Sequence, residues 1–335
     1  MAMEVRGWAA SGPGQELAPF SYELSVQGPF DVLVEVETCG ICHSDIHMID
    51  DDWRLSRYPL VPGHEVVGKV VAKGEAVEGL AVGDRVGIGW QGGACMTCQE
   101  CLSGKENLCD QHQGLIVAGR GGFASHVKVD GRFAFPFPAS LPAEASPLLC
   151  GGVTVYGALR SAGMSSRQRV GVIGLGGLGH MAVLFAARLG NEVTVFTTTP
   201  AKAQEARKLG AAEAVVVPAG ASPPPPGKRL DLLLSTVPYP QDWVAYLNWL
   251  GADGTLVLVA GGNEPVSVPF WALLTKRRRI MGSPIGGRAM VRETLEVAAR
   301  FGILPQVEVF QLSQVNEALR RVRQNQVRYR AVLRA

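Results

Sequence analysis

The sequence predicts an α/β protein of two domains, an antiparallel β-rich domain followed by a doubly wound domain built on a parallel sheet. Three observations carry that reading. At 335 residues, with 47% apolar and 19% charged side chains, the chain is too long for one ordinary core and has the composition of a globular protein. Its texture changes near residue 150, from short β-rich segments punctuated by glycine and proline to strands that alternate with helical stretches. A glycine-rich turn after that point joins an apolar strand to an amphipathic helix, as a doubly wound sheet requires.

In order, strands are expected at Val32 to Val36, Val66 to Val71, Arg85 to Ile88 and Phe123 to Val129, where β-branched residues are bounded by turn formers. The alternating part follows: strand Val170 to Ile173, helix Leu178 to Leu189, strand Val193 to Phe196, helix Ala201 to Leu209. Thr199 and Pro200 suit the cap and first residue of that second helix, because proline lacks an N–H that the first turn would leave unpaired. Further strands are expected at Ala214 to Val217, Leu230 to Leu234 and Thr255 to Ala260. The stretch Pro218 to Gly227, with four consecutive prolines, can continue neither a helix nor a central strand and is read as an exposed loop. The tail carries helices at Met290 to Phe301 and Ser313 to Val322 and a strand at Tyr329 to Leu333, part of which is expected to return to the first domain.

A formal net charge of +2 gives no electrostatic case for nucleic acid or an acidic membrane surface as partner. The one basic run, Lys276 to Arg279, reads as a solvated element end. No apolar stretch has the length of about 18 residues that a membrane helix needs. Seven cysteines, with no apolar signal stretch near Met1, point to the reducing cytoplasm.

Cys95, Cys98, Cys101 and Cys109 lie within fifteen residues at the spacing C-x2-C-x2-C-x7-C. Four thiolates on short turns form the closed tetrahedral site that a structural zinc prefers. Disulfides compete poorly, since the cysteine total is odd. An iron–sulfur cluster is the second competitor, and spacing alone leaves it open.

The run Gly174, Gly176, Gly177, Leu178, Gly179 has the form G-x-G-G-x-G between a strand and a helix. There it can bring backbone N–H groups and a helix N-terminus to the pyrophosphate of a dinucleotide. An NAD site usually has an acidic residue about 20 positions on, for the ribose 2′-OH. Thr197, Thr198 and Thr199 stand there instead, with Lys202 beyond, and Glu192 comes too early. Hydroxyls and an ammonium suit a 2′-phosphate, so NADP(H) is the expected coenzyme.

A second, dispersed metal set is suggested by Cys42 in CGICHSDIH, His64 and Glu65 in GHE, and Cys150 where the β-rich half ends. Two cysteines and a histidine leave a fourth position open, as a catalytic zinc needs. Spacing alone does not bring them together.

The segments CGICHSDIH, VPGHE, GDRVGIGW, CMTCQECLSGKENLC, PLLCGG, GLGGLGH and VRYRAVL, in consistent order over nearly the whole chain, resemble the zinc-containing medium-chain alcohol dehydrogenases. The resemblance is closest to their cinnamyl alcohol dehydrogenase branch, especially its bacterial broad-range aldehyde reductases. It implies a GroES-like catalytic domain over residues 1–150, a Rossmann NADP-binding domain over 151–287 and a C-terminal segment, 288–335, that returns to the first. It implies two zinc ions per subunit: a catalytic one on Cys42, His64 and Cys150, with Glu65 near it and Asp45 orienting His64, and a structural one in the four-cysteine lobe. It further implies a proton relay through Ser44 and His47, pyrophosphate contacts from His43 and Arg330, Thr154 near the nicotinamide, and a 2′-phosphate site at Thr197, Thr198 and Lys202. The implied reaction interconverts primary alcohols and aldehydes, favouring reduction, in a homodimer. Trp53 and Trp90 are candidates to line the substrate cleft. Two alternatives are a polyol or secondary-alcohol dehydrogenase, which commonly carries glutamate where Cys150 stands, and a thiol redox or zinc-binding protein built on Cys39-x-x-Cys42.

Overall fold

A computed structural model describes residues 3–262 and 264–335. The contacts divide the chain into two units, the first made of the chain up to Cys150 together with Gly286–Ala299 and Leu304–Ala335, the second of Gly151–Ile285 and Arg300–Ile303.

In the first unit the order is β1 (Met3–Ala9), β2 (Ala18–Leu24), β3 (Asp31–Ile41), α1 (His43–Asp50), β4 (Val66–Lys73), β5 (Arg85–Ile88), β6 (Gln91–Gly93), α2 (Gln99–Leu102), β7 (Gln113–Gly114), β8 (His126–Asp130) and β9 (Ala134–Pro136). The apolar run of β3 explains its place at the centre of the sheet. It pairs with β4 along most of one edge, while β8 covers Asp31 to Glu35 on the other. Val32, Val34, Val66, Val70 and Val86 from these strands pack into one buried cluster, each such side chain contributing about 1.5–3 kcal/mol on burial.

The second unit runs α3 (Gly151–Ser161), β10 (Arg169–Ile173), α4 (Gly179–Arg188), β11 (Glu192–Thr197), α5 (Pro200–Lys208), β12 (Glu213–Val216), β13 (Leu230–Ser235), α6 (Trp243–Trp249), β14 (Leu250–Leu258), α7 (Phe270–Leu274) and β15 (Arg279–Gly282). Its six strands are all parallel, in the order β12-β11-β10-β13-β14-β15. The chain therefore reverses its winding between β10 and β13, and the crevice beyond their carboxyl ends is where such sheets bind ligands. Back in the first unit come α8 (Arg288–Phe301), except for its last two residues, then β16 (Val307–Gln311), α9 (Val315–Arg323) and β17 (Arg330–Arg334). Strand β17 adds to the central sheet antiparallel to Thr38–Ile41 of β3.

Four differences from the sequence reading have local causes. The strand expected over Phe123 to Val129 starts only at His126, because Phe123 and Ser125 pair with Trp8 and Arg6 of β1 before the chain crosses to β3. The strand expected from Thr255 begins at Leu250 and runs through a left-handed Asp253. The proline-rich loop is pinned rather than wholly exposed: Pro223 is buried and the Trp249 indole donates to the Pro224 carbonyl. Within the basic run, Arg278 is buried, its guanidinium donating to the Leu250 and Ala272 carbonyls.

Candidate active site and metal centres

Cys42 follows β3 directly and is the N-cap of α1. Asp45, three residues on, closes a capping box by accepting the Cys42 N–H at 2.8 Å. Its other oxygen accepts the Gly63 N–H at 2.9 Å and His64 Nδ1–H at 2.8 Å. One fully buried carboxylate thus ties the start of α1 to the loop before β4. With Nδ1 held as donor, His64 presents Nε2 to the Cys150 Sγ at 3.3 Å.

The ligand atoms of Cys42, His64, Glu65 and Cys150 lie within 4.8 Å of one another, all buried. Three elements distant in sequence meet here: the start of α1, the loop ahead of β4 and the turn before α3. Arg330, at the start of β17, reaches the same place and forms a buried ion pair with Glu65, whose second oxygen has no hydrogen-bond partner. The pairing of β17 beside β3 puts it there.

Electrostatics show that the cluster is short of positive charge. A hydrogen bond from Cys150 holds the Cys42 thiol well below its ordinary value, while that same contact and burial push Cys150 well above it. Burial opposes charge on His64, but the Asp45 carboxylate prevails and raises it. Burial lifts Glu65 to about 7 against the pull of Arg330. Protons gather where anionic donors crowd in low dielectric, and a divalent cation replaces them. Two sulfurs, an imidazole nitrogen and a nearby carboxylate fit zinc.

The Sγ atoms of Cys95, Cys98, Cys101 and Cys109 also lie within 4.8 Å of one another. Backbone N–H groups of Thr97 and Cys98 donate to Cys95 Sγ at 3.4 and 3.3 Å and bring its thiol down to about 6. The Gln111 N–H donates to Cys109 Sγ at 3.3 Å. Four sulfurs gathered on short turns, with backbone N–H groups aimed at Cys95 and Cys109, suit a structural ion. Cys39 belongs to neither set: it is buried, bonds to the Gly40 carbonyl and is raised well above an ordinary thiol by desolvation.

Ser44 lies beside Cys42, with Oγ 3.7 Å from its sulfur. His47, near the other end of α1, is half exposed, and its Nδ1 lies 2.7 Å from Asp52 Oδ2. Asp52 went unnoticed in the sequence, where nothing separates it from Asp50 and Asp51. The His64 ring meets Trp90 edge-on at 5.1 Å, Trp90 meets Trp53 at 5.9 Å, and Trp53 lies 5.1 Å from the His47 ring. Aromatic surface therefore runs from the buried donors to an exposed Trp53. His43 is partly buried, which lowers its imidazole.

In the second unit, Gly174 takes a φ of +93° at the turn after β10, and α4 opens at Gly179. A Cβ on Gly179 would lie 2.0 Å from the Gly174 carbonyl oxygen, so only glycine lets the helix start so close to the strand. Gly176, Gly177 and Leu178 span the turn between them. Thr199 is the N-cap of α5, accepting from Lys202 N–H, with Pro200 as first helical residue. Thr198 and Lys202 are exposed beyond β11, whereas Thr197, its last residue, is buried like Val193 to Phe196 before it. Thr154 is buried in α3.

Family models match the chain over residues 28–139, as an alcohol dehydrogenase GroES-like domain, and over 177–300, as a zinc-binding dehydrogenase. The aldehyde reductase AdhA of Synechocystis sp. is 39% identical, with 98% of each chain covered. The chain belongs to the zinc-containing medium-chain alcohol dehydrogenases, in their cinnamyl alcohol dehydrogenase-like branch. Cinnamyl alcohol dehydrogenase 2 of Oryza sativa is 41% identical over 98% of this chain and 93% of its own. Among solved structures, a cinnamyl alcohol dehydrogenase from Sorghum bicolor superposes with a TM-score of 0.90 at 36% identity, covering 99% of this chain and 98% of its own. One from Helicobacter pylori, complexed with NADP(H), also gives 0.90, at 29% identity, over 100% and 99%. The GroES-like domain with a Rossmann-type parallel sheet is this family's fold, and its enzymes are alcohol dehydrogenases and aldehyde reductases.

Proposed function

We propose that this enzyme reduces aldehydes to primary alcohols with NADP(H), using one zinc on Cys42, His64 and Cys150 and holding a second in the four-cysteine lobe. The observation that carries the proposal is the buried cluster of two thiols, an imidazole and a carboxylate beside a hydrogen-bonded His47–Asp52 pair. Zinc in such a set, with one position open, would act as a Lewis acid on a carbonyl while the reduced nicotinamide supplies hydride. The protein's own groups do the rest. Asp45 fixes the His64 tautomer, and Arg330 balances Glu65 so that a carboxylate can stay buried near the metal. Asp52 takes the His47 Nδ1–H, which leaves Nε2 to accept and release a proton at the half-exposed outer end of a relay that begins at Ser44. Trp90 and Trp53 offer flat apolar surface to an aromatic or medium-chain aldehyde.

NADP(H) is preferred in this reading because Thr198 and Lys202 are exposed beyond β11 and the acid of an NAD site is missing. The Helicobacter pylori relative crystallised with NADP(H) supports it. His43, Arg330 and the turn at Gly174 would contact the pyrophosphate. A polyol dehydrogenase is disfavoured by Cys150, and a thiol redox protein by the burial of Cys39.

A second copy of the chain is the proposed partner. Helix α7 buries none of its residues, leaving Phe270 71% and Trp271 65% exposed in the unit whose sheet ends at the edge strand β15. An edge strand and an apolar helix are a self-complementary pair for a two-fold dimer.

The test is a screen of aldehydes against NADPH and NADH, followed by coenzyme absorbance, with metal content measured on the same sample. Wild type is expected to contain two zinc ions and to turn over NADPH at least tenfold faster. Cys42→Ser is expected to lose one ion and its turnover while still binding NADPH, and Thr198→Asp to move preference towards NADH. Turnover retained in Cys42→Ser would refute the ligand assignment.

A further inference from the structure

Helix α8 begins without a cap of its own. The Val291 N–H already donates to the Gly287 carbonyl at 3.0 Å, which makes Gly287 the N-cap, a position where serine, threonine, asparagine or aspartate usually supplies a side-chain acceptor. The missing acceptor comes from 182 residues earlier. Glu106, buried in the turn that carries Cys109, accepts the Arg288 N–H at 3.1 Å on one carboxylate oxygen and meets the Arg288 guanidinium at 3.3 Å with the other. Arg288 is fixed further by donating from Nε to the Arg132 carbonyl at 2.9 Å and by lying over the Phe133 ring.

Gly287 is shaped for this approach. A Cβ there would lie 2.6 Å from the Gly104 carbonyl oxygen and 2.8 Å from Glu106 Oε2, so the lobe occupies the space that a local capping side chain would need. Position 287 can hold its own cap or receive the lobe, not both. The turn that presents Glu106 is itself held by little secondary structure: α2 has four residues, and Glu106–Leu108 form a single 3-10 turn. The Cys109 N–H donates to the Glu106 carbonyl at 3.2 Å, so one of the four thiol-bearing residues closes the turn that presents Glu106.

We propose that the four-cysteine lobe is a remote N-terminal cap for α8, so that metal binding in the lobe and order in the first turn of α8, where the chain re-enters the first unit, form one linked equilibrium. The proposal rests on the reading that the lobe holds zinc. Linkage is reciprocal: the factor by which loss of the metal loosens the turn is the factor by which loss of the cap weakens the metal.

Hydrogen exchange of the peptide spanning residues 284–292, run alongside zinc content and competition against a chelator, tests it. Cys98→Ser is expected to lose the lobe zinc and to speed exchange at Arg288, Ala289 and Met290 about tenfold, the effect of removing a helix cap. Glu106→Ala, with every thiol intact, is expected to speed the same amides and to lower lobe zinc affinity by a similar factor. Glu106→Gln, which keeps an acceptor oxygen, should fall between it and wild type. Unchanged exchange in Glu106→Ala overturns the proposal, as does unchanged zinc affinity in that variant. A wild-type lobe without metal overturns both this inference and the structural-zinc reading, whereas a zinc-loaded lobe with unresponsive α8 amides overturns only the inference.

Discussion

Three consecutive aspartates follow one another at the end of α1, and each does a different job. Asp50 forms an ion pair with Arg323 of α9, Asp51 takes a left-handed φ of 58° and accepts the Ser56 N–H, and Asp52 meets His47. Sequence cannot separate them because their chemistry is identical; only the direction of each side chain differs. Asp45 is the opposite case. Its place in CGICHSDIH made a partnership with His64 expected from the family resemblance, its contact with Cys42 follows from its position in the first turn, and its contact with Gly63 comes from the fold. Asp45→Ala strips three donors of their acceptor in a dry site, so zinc affinity at the catalytic cluster should fall about 10–100-fold. Asp45→Asn, which keeps two of the three contacts feasible, should fall less. Zinc competition at fixed pH measures both, and equal affinity in wild type and Asp45→Ala would remove Asp45 from the site.

At the scale of elements, the second unit was readable where β10, β11 and β13 form apolar runs buried on both faces and where α5 buries only Ala203 and Ala206. What escaped were short pieces such as the β1–β2 hairpin, α6 and α7, whose five to seven residues repeat a period too few times to stand out from the turns around them. The proline-rich loop is instructive. Its composition excludes regular structure, yet Ser222 donates to Asp242, the N-cap of α6, and Trp249 at the far end of α6 holds Pro224. The Ser222 hydroxyl, helped by the Ala245 N–H, keeps the Asp242 carboxyl below its ordinary value. A carboxylate with a depressed folded pKa stabilises above its unfolded value, about 4, and loses that contribution as pH falls through the folded one. Asp242→Ala should therefore cost about 1 kcal/mol at neutral pH, and its thermal midpoint should converge with wild type near pH 3 or below. A constant gap across that range would mean the cap works without its charge.

For the whole molecule, no helix among the described residues is long and apolar enough to cross a membrane. The exposed apolar side chains Phe270 and Trp271 of α7 form the patch proposed above as the interface between two copies. Trp271→Glu places a charge in that patch and should convert the proposed dimer to monomers in sedimentation velocity, with zinc content unchanged. A variant that sediments like wild type would move the interface elsewhere.

The sequence by itself determined the two fold types, the glycine turn, the cap of α5 and the residue types of both donor clusters, because these depend on local period, backbone freedom and donor chemistry. Only the tertiary structure decided that Cys42, His64, Glu65 and Cys150 share one pocket, that Arg330 comes back from β17 to neutralise Glu65, and that Glu106 caps a helix 182 residues away. Those contacts join segments far apart in the chain. Each buried charge is tolerated because a partner brought by the fold offsets its desolvation, and no spacing along a sequence records that.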